Sequence, residues 1–589
     1  MKINRNEDIA KILYEIGEYL EMKDAAFKPR AYEKAGYSIE NLEEEVSEIY
    51  KKGGLEAVED IPGVGISIAE KIEELIKTGH LKYYERLKKS FPVKVGELAA
   101  IEGVGPKMIF KLYKKLKVKN IDDLEKAAKA GKIAKIEGFG KKTEEKILKG
   151  IEFLRKSEGR FLLGSILPLT RLIEDRLRNL KEVGRVAVAG SIRRMQETVG
   201  DLDILVTINN KTKKSVADFF VSMPEVIHVY SKGNTKTMVR LRNGMDADLR
   251  VVADKSFGAA LQYFTGDKHH NITLRILAEK KGYKLNEYGL WRGKKLIAGK
   301  TEEEIYKALG MQAPPPEIRS DSGEIQAALR QAQGKPGGLP KFIDYSDVKG
   351  DLHCHSDWDG GANSIEEMAE AAIKMGYQYI GIADHTKFLA IEHGVDEKQL
   401  EKRDKEIDKI NSKFDSPAGG QNSKFKILKG CEANILADGS IDIKDEALAK
   451  LDFVIAGIHS QMKMPKEEMT ERIIKAMKNP NVDIISHPTG RILKQRDEYQ
   501  IDFDKILKIA KETGTILEIN ANPYRLDLNG QNIHRAKEMG VKMIINADAH
   551  HIDQMRFIEF GIAQARRGWI TKNDIINTRP WQEMLKLFK

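Results

Sequence analysis

Short apolar runs that end in charged or imidazole side chains recur along this chain, and they set its predicted elements. Val186-Ala187-Val188-Ala189 and the apolar positions Leu202, Ile204, Leu205 and Val206 read as two buried strands on either side of a Gly-Ser turn. Later come Tyr379-Ile380-Gly381-Ile382-Ala383, Phe453-Val454-Ile455-Ala456-Gly457-Ile458, Asp483-Ile484-Ile485-Ser486 and Lys542-Met543-Ile544-Ile545-Asn546-Ala547. Helical patterns such as 365–375 and 506–513 separate these runs. Alternating buried strands and helices predict a parallel sheet or barrel. The start of the chain is patterned differently. Ile68-Ala69-Ile72, Met108-Leu112 and Ile147-Leu148-Ile151 carry helical spacing. Between the two regimes, 311–342 is rich in Pro, Gly, Gln and Ser, including Pro314-Pro315-Pro316 and Gly334-Lys335-Pro336-Gly337-Gly338. That composition predicts a tethering linker over 313–345.

The first strand pair frames Gly190-Ser191-Ile192-Arg193-Arg194 and then Gly200-Asp201-Leu202-Asp203. Residues i and i+2 of a strand share a face, roughly 7 Å apart, so Asp201 and Asp203 can grip metal ions together. Two carboxylates beside a Gly-Ser turn suit a Mg²⁺-bound triphosphate set for in-line attack. Asp246-Ala247-Asp248-Leu249-Arg250-Val251-Val252 predicts another strand with two more aspartates on one face. Only one of these two can be a third ligand.

Upstream, Ile61-Pro62-Gly63-Val64-Gly65, Ile101-Glu102-Gly103-Val104-Gly105 and Ile136-Glu137-Gly138-Phe139-Gly140 repeat one pattern, apolar-x-Gly-apolar-Gly before a helix. This is the helix-hairpin-helix pattern. Its glycines permit a tight turn, and the backbone N–H groups at the next helix start point at a phosphate. Such contacts bind DNA without regard to sequence, in a salt-sensitive way. Charge agrees: residues 1–340 carry a net +13 and 341–589 a net −3, making up the chain's +10. Nine of the thirteen histidines lie from His353 onward. The basic part would bring the DNA, and the near-neutral part would carry chemistry on bound metal. No apolar stretch is long enough to span a membrane, and the charged amino terminus lacks a signal peptide's apolar run. The two cysteines, Cys354 and Cys431, read as buried filler in a reducing, cytoplasmic setting.

The Gly-Ser turn, the Gly-Asp-x-Asp strand and the Asp-Leu-Arg strand together resemble the palm of family X DNA polymerases. The resemblance implies that Asp248 is the third catalytic carboxylate. It gives Gly190, Ser191, Arg194 and Gly200 to the triphosphate. It continues through Tyr263-Phe264-Thr265-Gly266, Asn271, Arg275 and Glu287-Tyr288. By that likeness Tyr263, Phe264 and Gly266 lie against the incoming sugar, Asn271 faces the base edge and Arg275 contacts the template. Pro62-Gly63-Val64-Gly65 and Ala69-Glu70-Lys71-Ile72 resemble the small lyase domain of eukaryotic repair polymerases. There Lys71 matches the Schiff-base lysine, and Tyr32 with Lys28 would hold a 5′-phosphate. Ser67 stands where that domain carries a second lysine. Lys71 is therefore either a lyase nucleophile or a lysine that touches DNA backbone.

Asp351-Leu352-His353-Cys354-His355-Ser356, with Asp384-His385, Glu432, His459, His487, Asp548 and His550, resembles the polymerase and histidinol phosphatase (PHP) domain. That family folds as a distorted barrel and gathers three divalent metals, here Mn²⁺, Zn²⁺ or Fe²⁺ by ligand type. The implied ligands are His353, His355, His385, Glu432, His459, His487, Asp548 and His550. The family's usual Asp slot holds Gly360, and Asp359, one position earlier, is a displaced candidate ligand.

The predicted fold is multidomain α/β. A helical lyase-like region with a helix-hairpin-helix occupies 1–95, and a further helix-hairpin-helix region occupies 96–155. A nucleotidyltransferase palm follows at 156–252 and a thumb-like nucleotide subdomain at 253–312. After the 313–345 linker comes a distorted (β/α) barrel PHP domain at 346–589. The expected function is gap filling in DNA repair by a monomer that takes dNTPs and gapped or nicked duplex DNA. The PHP domain would supply 3′–5′ exonuclease, 3′-phosphatase and abasic-site endonuclease activity. Two other classes stay open: a nucleotidyltransferase for a non-DNA acceptor, and a DNA-binding scaffold with a decayed hydrolase.

Overall fold

The computed structural model describes the chain except residues 1–5, 23–27, 41, 43–44, 100, 102–103, 157–158, 210–212, 390–392 and 415–424. The chain forms two compact units, Met1–Glu158 with Lys494–Arg496, and Gly159–Leu493 with Asp497–Lys589. No helix among the described residues is long and apolar enough to cross a membrane.

The first unit is helical, with Ile9, Leu13, Ile16, Ile72, Leu75, Ile109 and Leu112 in its core. The motif glycines sit where the pattern predicts. Gly65 caps the helix Ile66–Thr78, Gly105 caps Pro106–Leu116, and Gly140 precedes Lys141–Lys156. Gly63 and Gly138 adopt φ of 80° and 86°, and a Cβ on Gly63 would meet Lys34 Cγ at 2.6 Å. Gly103 lies outside the described residues.

The second unit opens on a five-stranded sheet in the order Val183–Val188, Asp201–Ile208, Asp246–Val251, Lys236–Leu241, Val226–Lys232. The second and third of these are parallel, and Asp201 pairs with Asp246 and Asp203 with Asp248. Alternate residues Leu202, Ile204, Val206, Ala247 and Leu249 are buried beneath, against Ile166 and Ile173 of the helix Leu163–Arg178. Period-two alternation therefore turns the carboxylates to the opposite face.

The helices Phe257–Thr265, Lys268–Lys280 and Glu302–Ala308 follow, with a three-stranded antiparallel sheet over 284–298. The linker expected over 313–345 is different in the structure. It carries the helix Glu324–Ala332, whose Ile325, Ala327 and Ala328 share a core with Leu274, Ala278 and Tyr306. Its buried Arg319 reaches Glu302 at 2.5 Å, and Glu324 Oε1 lies 2.6 Å from His270 Nδ1. The Pro- and Gly-rich flanks concealed a short amphipathic helix and two buried charges that have distant partners.

In the metal-ligand-rich region the parallel strands are as expected, but among the described residues they form two sheets rather than a closed barrel. Eight strands divide into sheets of three (Gly350–Cys354, Tyr379–Ile382, Lys426–Lys429) and five (Glu432–Asn434, Ile455–Gly457, Ile484–Ile485, Ile516–Asn520, Met543–Asn546). At the seams the ladders shrink to the single bridges Cys354↔Ala549 and His385↔Glu432. Candidate ligands occupy these positions or flank them, so side-chain convergence there replaces continued strand pairing.

Candidate active sites

The palm carboxylates meet through register. Asp201, Asp203 and Asp248 crowd the end of two paired strands. Burial pushes Asp203 up to about 7, with Asp201 and Asp248 adding to the shift. Burial and then Asp248 raise Asp201. Such mutual repulsion is the signature of a place that divalent cations relieve. Lys236 Nζ at 3.2 Å and Arg250 Nη2 at 3.5 Å are the cations near Asp248. Asp246 faces the same way but pairs with the Arg240 guanidinium across the ladder, which separates its role from that of Asp248.

The Gly-Ser turn is the one-turn helix Gly190–Arg193, with Gly190 at φ 65°. Arg193 is committed to Glu302 (3.0 and 2.6 Å) and to Thr265 Oγ1 (2.8 Å). Arg194 donates through Nη1 to the Thr265 carbonyl. Both bonds tie this turn to the Tyr263–Gly266 segment. Tyr263 and Phe264 meet edge to face at 5.1 Å, and the Arg250 guanidinium lies 4.4 Å over the Phe264 ring. Asn271 does something the sequence did not suggest. Its Nδ2 donates to the Tyr263 carbonyl (2.7 Å) and its Oδ1 accepts from Gln262 Nε2 (2.7 Å), so it braces the turn. Gly266 is needed there, since a Cβ would lie 2.7 Å from Asn271 Oδ1. Arg275 is half-buried on the helix Lys268–Lys280, and Gly200 precedes the catalytic strand.

Within the first unit, Lys28, Tyr32, Gly63, Gly65, Ser67, Lys71, Lys82, Tyr83 and Arg86 line one groove of about 790 Å³. Lys71 Nζ donates to the Ser67 carbonyl (2.6 Å) and Oγ (2.9 Å) and lies 5.3 Å over the Tyr83 ring. Burial lowers its pKa; Glu70 and Glu74 oppose this, and Lys28 adds to it. Tyr32 stacks on Tyr83 at 6.5 Å. Lys82 and Arg86 are groove cations that motif reading missed, because they come from the next helix, Lys82–Ser90.

The imidazole cluster converges on Glu432. Its Oε2 lies 2.9 Å from His385 Nδ1 and 3.2 Å from His353 Nε2, and its Oε1 lies 3.0 Å from His487 Nε2 and 3.4 Å from His459 Nε2. Asp548 Oδ1 lies 3.5 Å from His355 Nε2 and 3.6 Å from His353 Nε2. His550 stacks on His355 at 3.9 Å. His355, His385, His459, His487, Asp548 and His550 follow the ends of strands, while Glu432 opens the strand Glu432–Asn434 and His353 lies in Gly350–Cys354. His487 and Asp548 hold φ of 28° and 55°, a strain that surrounding structure must enforce.

The far nitrogens are held from behind. His353 Nδ1 meets Glu518 Oε1 at 2.7 Å, His355 Nδ1 meets Asp359 Oδ2 at 2.6 Å, and His459 Nδ1 meets Asn434 Oδ1 at 2.7 Å. That is the backing metal-ligating imidazoles receive. The inward nitrogens of His353, His355, His385 and His459, with His487 Nδ1, are buried without a hydrogen-bond partner. Orphaned acceptors facing carboxylates fit divalent metals, and among the described residues four overlapping groups of three residues each hold their ligand atoms within 4.8 Å of one another. Burial opposes charge on Glu432, yet His353, His385 and His459 hold its carboxyl well below the usual range. Burial lowers His459 and His550 to about 4, whereas against burial Glu518 and Glu432 raise His353, as Asp359 does His355.

Asp359 was expected among the ligands. It falls within one of the four groups, with His355 and Asp384, but its Oδ2 is already taken by His355 Nδ1 and by the His385 backbone N–H at 2.6 Å. Through Oδ2 it backs His355, within that same candidate group. Glu518 and Asn434 were not singled out from sequence. A carboxylate inside the apolar run Leu517-Glu518-Ile519 was the available signal for the first.

A carboxylate trio at the start of two interior parallel strands and a His-rich cluster near the ends of others define an enzyme of phosphoester chemistry with two candidate metal sites. Residues 4–81 match the model of a helix-hairpin-helix domain, and 95–152 a SAM-like helix-hairpin-helix tandem. Residues 260–320 match the DNA polymerase beta thumb, and 351–522 the PHP domain. The chain is 36% identical over 588 residues to the DNA polymerase/3′-5′ exonuclease PolX of Bacillus subtilis (strain 168), covering 99% of each. A probable phosphatase of Thermoanaerobacter sp. (strain X514) is 33% identical over 240 residues, 39% of this chain and 89% of that one. The chain belongs to the family X DNA polymerases that carry a PHP domain.

Proposed function

We propose that this chain is a DNA polymerase that fills short gaps during repair and cleans the 3′ ends it extends. The observation that carries the reading is the register Asp203↔Asp248, which brings three carboxylates together beside the Gly-Ser turn. Asp201, Asp203 and Asp248 would hold Mg²⁺. When bound, the ions lower the charge barrier to attack by a primer 3′-hydroxyl and steady the leaving pyrophosphate.

The chain's own groups do the positioning. The backbone N–H groups at the start of Gly190–Arg193 and the Ser191 hydroxyl receive the triphosphate, and Arg194 supplies the charge beside it. Arg193, spent on Glu302, holds the turn against the thumb. Tyr263, Phe264 and Gly266 form the wall for the sugar, which Asn271 stiffens. Arg275 is the template contact. The helix-hairpin-helix glycines Gly63, Gly65, Gly103, Gly105, Gly138 and Gly140 present backbone to DNA phosphates.

The PHP cluster would hold three ions of Mn²⁺, Zn²⁺ or Fe²⁺ through His353, His355, His385, Glu432, His459, His487, Asp548 and His550. Bound there, they would activate water toward a phosphoester. Glu518, Asp359 and Asn434 orient three of the imidazoles. The substrates are DNA 3′ ends, 3′-phosphates and abasic sites. Lys71, with its lowered pKa and its groove shared with Lys28 and Tyr32, is the lyase nucleophile. The enzyme acts as a cytoplasmic monomer on gapped or nicked duplex DNA with dNTPs.

The test follows a 5′-labelled primer on a one-nucleotide-gapped duplex with Mn²⁺, with and without dNTPs. Extension with dNTPs and shortening without them are expected. Asp203→Ala should remove extension alone, and His355→Ala shortening alone. Loss of both in either folded variant rejects two separate sites.

A further inference from the structure

The helix Ile558–Arg567 of the PHP module ends against the palm's Gly-Ser turn. Arg567 Nη2 donates to the carbonyls of Arg194 (3.0 Å) and Met195 (2.7 Å), while its Nη1 donates to Gln564 Oε1 (2.7 Å). A one-turn helix such as Gly190–Arg193 cannot stabilise itself, and carbonyls at its end lack partners within it. Met195 also holds φ 51°, which other contacts must maintain.

Two residues on, Glu197 is pinned from the same side. Gln564 Nε2 donates to it at 2.6 Å, and Arg491 grips both oxygens at 2.7 and 3.3 Å. Arg491 also donates to the Leu526 carbonyl, and Leu526 and Phe560 are buried in the palm's own apolar core. The approach is close: a Cβ on Gly164 would stand 2.2 Å from Pro523 Cβ.

We propose that the PHP module completes the polymerase site, with Arg567 as a positioning residue that fixes the nucleotide-binding turn through the Arg194 and Met195 carbonyls. Arg491 and Gln564 hold Glu197 and so fix the strand that leaves the turn. This rests on the reading that 190–194 binds the triphosphate. Removing a half-buried guanidinium that satisfies two carbonyls loosens the turn that receives dNTP, while the carboxylates on their own strands stay in register. The effect therefore falls on dNTP binding.

The experiment compares Arg567→Met, Arg567→Lys and Arg194→Ala with wild type as full chains, on one-nucleotide-gapped DNA and on a 3′ end for hydrolysis. Arg567→Met should raise KM for dNTP about ten-fold, change kcat less than about two-fold and spare the nuclease. Arg567→Lys should restore part of the KM. An unchanged KM in Arg567→Met, while Arg194→Ala raises it, overturns the proposal. Equal loss of both activities in Arg567→Met overturns it too, because that marks a general structural role. No effect of Arg194→Ala on KM rejects the reading of the turn instead. Should Arg567→Met fail to fold, Glu197→Gln is read in its place, with a smaller KM rise expected and no rise overturning the proposal.

Discussion

A Cβ added to Gly190 would stand 2.7 Å from Oδ2 of Asp203, so the Gly-Ser turn and the central carboxylate touch through the space a side chain would need. Gly190 also sits at φ 65°, where an L side chain is strained. Gly190→Ala should therefore lose extension by about two orders of magnitude or more, since small displacements at a reacting centre are costly. Nuclease activity on the same DNA should persist. Extension near the wild-type rate would refute the close packing.

Glu518 is buried, holds His353 and also accepts from the His487 backbone N–H at 2.8 Å. Glu518→Gln should weaken metal binding about ten- to a hundred-fold. Metal content after dialysis and Mn²⁺ titration of the nuclease measure this. Full metal loading in the variant would show that Glu518 does not position the ligands.

Glu302 links Arg193 to Arg319 beneath the nucleotide subdomain. Burial opposes its charge, but Arg319 and Arg193 hold its carboxyl down, from 4.5 to about 2. A depressed carboxylate contributes stability that is complete above pH 4.5 and lost as pH falls through about 2. Glu302→Gln should cost about 2 kcal/mol or more at neutral pH, because Arg319 stays buried with less compensation. The gap in Tm between wild type and variant should narrow as the pH falls across that window. A constant gap would mean that Glu302 is not the titrating group.

Lys71 is the group to test for lyase chemistry. Borohydride reduction with incised abasic DNA should trap a covalent complex that Lys71→Ala lacks. Burial depresses the Lys71 amine, so trapping should begin at a lower pH than an ordinary lysine allows. Equal trapping in Lys71→Ala would move the nucleophile elsewhere.

Local spacing made much of both sites readable. Asp201 with Asp203, and His353 with His355, lie two apart on strands, and a period of two places each pair on one face whatever surrounds it. Gly63 and Gly138 were legible because the positive φ of their turns admits few residues other than glycine. What escaped depends on contacts between distant positions. The bonds from the Asn271 amide to Tyr263 and Gln262 were not legible. The 313–345 segment looked like a tether until Arg319 and Glu324 found Glu302 and His270.

The sequence by itself determined the chemistry: which strands end in carboxylates or imidazoles, and that DNA and divalent metals are their business. Tertiary structure alone decided which partner each of these side chains meets. Asp246 answers Arg240, Asp359 backs His355, and Arg567 reaches the Arg194 carbonyl across 373 residues of chain. The reason is physical. A side chain's type and strand face are local properties, but its hydrogen-bond partner is chosen by packing, and packing brings together residues that no sequence spacing relates.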